Sequence, residues 1–173
     1  MNLSSTRTAE VAVPIVVRDL TPADLPACTW AGTAARLVQV ERALERAAAG
    51  EVDYLALCTP AGVPVAIGGV DYRAVEGAGT LWQLAVLPAL QSCGLGTILV
   101  RAAEERIRSR GLRRAELAVE EANPRARALY ERLGYEAYGS RPDAWDVTAP
   151  DGSLRRYETV GTLMRRDMAQ GDA

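Results

Sequence analysis

No histidine and no lysine occur in the 173 residues, and all 20 basic side chains are arginine. A mechanism built on an imidazole base or a histidine metal ligand is therefore excluded. So are a P-loop lysine, a Schiff base and pyridoxal phosphate attachment. Cysteine is scarce. Cys28, Cys58 and Cys93 are odd in number and about thirty residues apart, which suits neither a disulfide framework nor a zinc knuckle. A reducing compartment is the default for such a chain, and no metal is expected. No apolar run approaches the ~20 residues of a membrane span, and the segment MNLSSTRTAE lacks the apolar stretch of a signal peptide. The expected location is cytoplasmic, with no membrane partner. A net charge of -2 makes no electrostatic case for nucleic acid.

What is present is an ordinary globular composition over one domain's length. We expect a loose leader over 1–13, a single domain over 14–168 and a frayed tail over 169–173. Ile15–Asp19 reads as a strand. Thr21, Pro22 and Asp24 form a helix start, and a second helix runs over about 33–48 until Gly50. Val52–Thr59 and Val63–Tyr72 are strands around Pro60-Ala61-Gly62. Leu81–Leu87 is a strand stopped by Pro88. Leu95–Arg110 is an amphipathic helix with Leu95, Ile98, Leu99, Ala102 and Ile107 on one face. After the strand Arg114–Val119, Asn123 caps a helix with Pro124 at its first position and Gly134 at its end. Tyr135–Val147 and Leu154–Arg165 are antiparallel strands around Asp151-Gly152. The fold class is α/β, a mixed sheet rather than a regular βαβ series.

One segment joins strand to helix through glycines: Leu84-Ala85-Val86-Leu87-Pro88-Ala89-Leu90-Gln91-Ser92-Cys93-Gly94-Leu95-Gly96. Helix starts leave backbone N–H groups unpaired and partly positive, and glycines let a diphosphate approach them. The Walker pattern fails for want of Lys-Ser/Thr. The dinucleotide pattern G-x-G-x-x-G fits Gly94 and Gly96, but its third glycine falls on Leu99. Glu116, about twenty residues on, suits that fingerprint, whereas the absence of a βαβ series does not. A third pattern, Gln/Arg-x-x-Gly-x-Gly/Ala, is met by Gln91, Gly94 and Gly96.

On this last pattern the segment resembles the cofactor-binding segment of the GNAT acetyltransferases. Asn123-Pro124-Arg125-Ala126-Arg127-Ala128-Leu129-Tyr130-Glu131-Arg132-Leu133-Gly134-Tyr135 is similar to that family's N-x-x-A-x-x-L-Y-E-x-x-G-F/Y segment. The resemblance spans about two-thirds of the chain, from near Val63 to the last hairpin. It implies six to seven strands flanked by about four helices, with acetyl-CoA between splayed central strands. Backbone groups of Leu84, Ala85 and Val86 would hold the pantetheine arm. Those of Gln91, Ser92, Cys93, Gly94, Leu95 and Gly96 would hold the diphosphate, and Thr97 and Asn123 would also be cofactor-binding. Tyr130 would touch the cofactor near its sulfur and protonate the leaving thiolate. A phenol near pKa ~10 still holds its proton where a thiol of ~8.5 begins to lose its own. The implied reaction is N-acetyl transfer in a ternary complex to a small-molecule or peptide amine. A homodimer is common in the family.

The amine must shed a proton first, and a base would help. Some family members carry a glutamate early in the central strand, where Thr80 stands here. Substitutes are Asp71, on the same strand face as Val65 and Ile67, and Glu76 or Glu120, the last beside Glu121; a water chain is the alternative. Cys93 sits at a helix start, where thiols can become reactive, but its backbone is what the family pattern uses. Trp82 and Trp145 are either core residues or walls of an acceptor pocket. The missing glutamate also leaves open a non-catalytic acyl-CoA sensor or partner-binding module on the same fold.

Overall fold

The computed structural model describes residues 12–148 and 152–168. Most of the expected leader, Asp151 of the last turn, the expected tail and the side chain of Trp145 lie outside the described residues. The strands are β1 (Val16–Asp19), β2 (Val52–Cys58), β3 (Pro64–Asp71), β4 (Gly79–Val86), β5 (Arg114–Glu120), β6 (Glu136–Thr148) and β7 (Leu154–Asp167). They form one seven-stranded sheet ordered β1-β2-β3-β4-β5-β7-β6. Every neighbouring pair is antiparallel except β4 and β5.

Three α-helices, α1 (Ala34–Ala48), α2 (Leu95–Ser109) and α3 (Pro124–Arg132), join a ten-residue 3-10 helix over Pro22–Ala31. That tighter helix has Pro26 inside it, which cannot supply an α-type donor. Its start is tied down by Asp24, whose carboxylate accepts from the Thr21 amide and hydroxyl, each at 2.8 Å. Arg18 donates both terminal nitrogens to the same carboxylate at 2.7 Å.

The alternation along β2 builds two cores. Leu55 and Leu57 face a cluster made with α2, β5 and Tyr130, while Tyr54, Ala56 and Cys58 face a cluster made with the 3-10 helix and α1. Each fully buried aliphatic side chain there contributes about 1.5–3 kcal/mol. Two expectations change. Val65 and Ile67 pack into opposite clusters, because the register slips between Leu57 and Cys58 and one residue of β3 bulges. Ile98 lies at the rim of the buried face of α2 and is 39 % exposed.

Candidate active site

The site begins as a gap in the sheet. β4 and β5 pair only through Gly79–Ala115, Thr80–Glu116 and Leu81–Leu117. Beyond Leu81, β4 departs. Its register on β3 shifts, with Ile67 opposite Ala85 and Gly69 opposite Trp82, and Gln83 takes a φ of 54°. Three residues of β4 thus span two of β3, a bulge that bends the strand. β5 meanwhile stays with β7 as far as Glu120 opposite Gly161. The edge of Leu84, Ala85 and Val86 is left facing a cleft with no strand beside it.

The bulge is braced from below. Tyr54 donates its hydroxyl to the Gln83 side-chain oxygen at 3.1 Å, and the Gln83 amide donates to Gln39 of α1 at 3.1 Å. Trp82 meets the Tyr54 ring edge-on, centroids 5.6 Å apart. Trp82 is partly buried, packs against the core beside Tyr54 and is not among the residues bordering the cleft.

The chain turns after Pro88–Leu90 and enters α2 through two left-handed residues, Ser92 at φ 67° and Gly94 at φ 84°. For serine this conformation costs on the order of 1–3 kcal/mol, and such strain collects at ligand clamps. Gly94 offers α2 no side-chain cap, so the first helix amides have no partner within the helix. Leu95, Gly96 and Thr97, which carry those amides, line the cleft with Gln91 and Ser92. Gly96 also permits close packing, since a Cβ there would stand 3.1 Å from Leu129.

The facing wall is α3. Asn123 caps it by accepting from the Ala126 amide at 3.1 Å. Arg125 reaches across to the turn, donating to the Ser92 hydroxyl and, at 3.4 Å, to the Gln91 side-chain oxygen. Tyr130 lines the same cleft, is 8 % exposed and has its ring centroid 5.9 Å from that of Tyr135. Burial pushes its phenol up from the ordinary value, so at neutral pH it holds its proton. Its hydroxyl bonds to none of the described residues.

Of the residues read from sequence, Leu84, Ala85, Val86, Gln91, Ser92, Gly94, Leu95, Gly96, Thr97, Asn123 and Tyr130 all border this one cleft of about 650 Å³. That size suits a small-molecule site. Cys93 does not border it; its exposed thiol turns back toward the Gln91 carbonyl, 3.8 Å away. Asp71 lies opposite Thr80, at the other end of β4 from Val86, roughly 13–20 Å along the strand. There it accepts from Arg46 at 2.8 Å and from the amides of Arg73 and Ala74. Burial alone would raise its carboxyl, but these donors outweigh that and hold it below the usual range.

Glu76 is exposed near the same far end. Glu120 is half-buried at the splayed end of β5, three residues before Asn123, and accepts from Tyr157 at 3.3 Å. Glu116 is buried and accepts from Tyr138 at 2.6 Å, which occupies it within the fold. Sequence reading missed Trp30, Arg36 and Arg125 in the cleft wall. Arg125 lay inside a quoted motif and was legible as a charge beside the turn. Trp30 and Arg36 come from the distant 3-10 helix and α1, and no local pattern marks them.

A family model described as Acetyltransferase (GNAT) family matches residues 27–135, more than half of the chain. A mycothiol acetyltransferase of Beutenbergia cavernae is 47 % identical over 57 residues, covering 33 % of this chain and 19 % of its own length. A [ribosomal protein bS18]-alanine N-acetyltransferase of Haemophilus influenzae is 35 % identical over 69 residues, covering 40 % and 47 %. The chain thus matches less than half the length of either curated relative. In fold it is similar to the ribosomal-protein-S18-alanine N-acetyltransferase of Escherichia coli, with a TM-score of 0.66 and 22 % identity over 92 % of this chain and 99 % of that one.

Proposed function

The chain belongs to the acetyltransferase (GNAT) family, and from that premise we propose that it binds acetyl-CoA and passes the acetyl group directly to an amine. The observation that carries this reading is the uncapped start of α2 beside the strand-free edge of β4, both on one cleft. The free edge of Leu84–Val86 suits the amides of a pantetheine arm, which would add to the sheet as a strand does. The amides opening α2, with Arg125 beside them, suit two linked phosphates.

The chain's own groups then have separate tasks. An amine of pKa ~10.4 is protonated at pH 7, and freeing it costs roughly 4–5 kcal/mol. Glu120, at the splayed end of β5 and outside the cleft lining, takes that proton through water. The amine nitrogen bonds to the acetyl carbon, the carbon–sulfur bond breaks, and the thiolate receives the Tyr130 proton, while the nitrogen sheds its second proton to solvent, which reprotonates the Tyr130 phenolate. The product is an N-acetyl amide and free CoA. Acceptors of either kind, a small amine or a peptide N-terminus, suit this chemistry.

Titrating acetyl-CoA into the protein by calorimetry tests the reading. We expect binding at sub-millimolar concentration, and its absence sinks the proposal. A second reading, an acyl-CoA sensor, draws support from Thr80 and from the lack of any carboxylate among the described residues lining the cleft. Cofactor binding without thiol release across an amine panel would select it.

A further inference from the structure

The cleft carries more positive charge than its diphosphate end accounts for. Arg36, Arg125 and Arg132 border it, and no Asp or Glu among the described residues does. Arg125 and Arg132 stand on α3, on the side of the glycine turn. Arg36 stands on α1, which packs against the opposite face of the sheet, and it is near enough to the buried Tyr54 for its charge to act on that phenol. Residues of α1 and of α3 thus border one cleft, with Arg36 on its α1 side.

Two observations indicate that this guanidinium is placed rather than merely exposed. Its stem folds over Gly32, where a Cβ would stand 2.5 Å from the Arg36 Cδ. Beside it, the indole Nε1 of Trp30 and the Nε of Arg36 itself are both shielded from water with no hydrogen-bond partner. Arg36 pairs with no carboxylate of the described residues. Unpartnered shielded donors are costly and rare in folded proteins, and both of these belong to residues on the wall of the same cleft.

We propose that Trp30 and Arg36 form a carboxylate-recognising subsite at the acceptor end of the cleft, so that the amine substrate is one that also carries a carboxylate. The inference rests on the acetyl-transfer reading above. A guanidinium fork and an indole N–H match a planar carboxylate in geometry and charge. Two sources supply that chemistry, a free amino acid and a peptide with an acidic side chain near its amino terminus.

The test is calorimetric binding of matched pairs to the protein saturated with CoA. The pairs are amino acids against their decarboxylated amines, 4-aminobutyrate against butylamine, and tripeptides with Asp against Asn at the second position. At least one carboxylate member should bind about 10- to 100-fold more tightly than its partner, the range of a charge-assisted contact. Whether the free amino acids or the Asp peptides show it distinguishes the sources. In Arg36→Gln the preference should collapse while acetyl-CoA affinity changes less than about threefold. Arg36→Lys should retain part of the preference, and Trp30→Phe, which keeps the ring and loses the donor, should weaken it. Circular dichroism of each variant checks the fold.

The proposal is overturned if no pair shows a preference, or if Arg36→Gln leaves the preference intact. An equal loss of acetyl-CoA affinity in Arg36→Gln overturns it too, since Arg36 would then serve the cofactor. Failure of the wild type to bind acetyl-CoA at all is a different result, and it removes the acetyl-transfer reading itself.

Discussion

Tyr130 and Glu120, the acid and the base of the proposed reaction, sit in different settings. Tyr130 is buried on the cleft wall, where desolvation raises its phenol and keeps it a proton donor. Glu120 is half-buried at the splayed end of β5, and its carboxylate accepts from Tyr157. Tyr130→Phe should lower kcat about 10²-fold or more while acetyl-CoA affinity stays within a few-fold, as removal of a general acid does. Glu120→Gln should lower kcat/KM at neutral pH and recover toward wild type as the pH nears the acceptor amine's own pKa. Paired pH–rate profiles check both. A flat ratio between Glu120→Gln and wild type across pH removes Glu120 as base, and unchanged turnover in Tyr130→Phe removes the acid.

The 3-10 helix carries Trp30 into the cleft wall, and an ion pair fastens its start to β1. Asp24 receives two 2.7 Å bonds from Arg18 and two from Thr21. The Arg18 hydrogen bond is the main reason its carboxyl sits well below the usual range, with burial opposing. A depressed carboxylate stabilises the fold fully above its unfolded pKa, near ~3.9, and loses that contribution as pH falls through the lower folded value. Asp24→Asn should therefore cost about 1–3 kcal/mol at neutral pH, and the gap from wild type should close on acidification below about pH 4. Urea melts at several pH values measure it. A gap that is constant with pH would show that packing, rather than charge, holds the element.

Across the whole molecule, α2 is tied to the last hairpin through Glu104. This carboxylate on α2 is fully buried and accepts from Arg101 at 2.8 Å and from Arg166 of β7 at 2.7 Å, with Arg108 at 3.9 Å. Glu104→Ala removes two charge-assisted hydrogen bonds from partly exposed arginines, so it should lower unfolding free energy by about 1–3 kcal/mol. The midpoint of urea unfolding checks this. Because β7 is also the partner of β5, we expect the same variant to weaken acetyl-CoA binding through loss of the β5 side of the cleft.

Local chemistry alone determined the element order, the glycine turn after Pro88, the Asn123 cap and the place of Tyr130, since strand period, helix caps and turn residues are written in neighbouring positions. Contacts between distant segments decided the rest. Asp71 ends the strand paired with β4, whose Leu84–Val86 edge borders the cleft, yet antiparallel pairing carries it to the far end and Arg46 engages it. Trp30 and Arg36 carry no local signature, and they reach the cleft because the 3-10 helix and α1 pack on one face of a sheet that parts between β4 and β5. That parting depends on a bulge at Gln83, and a bulge is set by the strand next to it, not by its own residues.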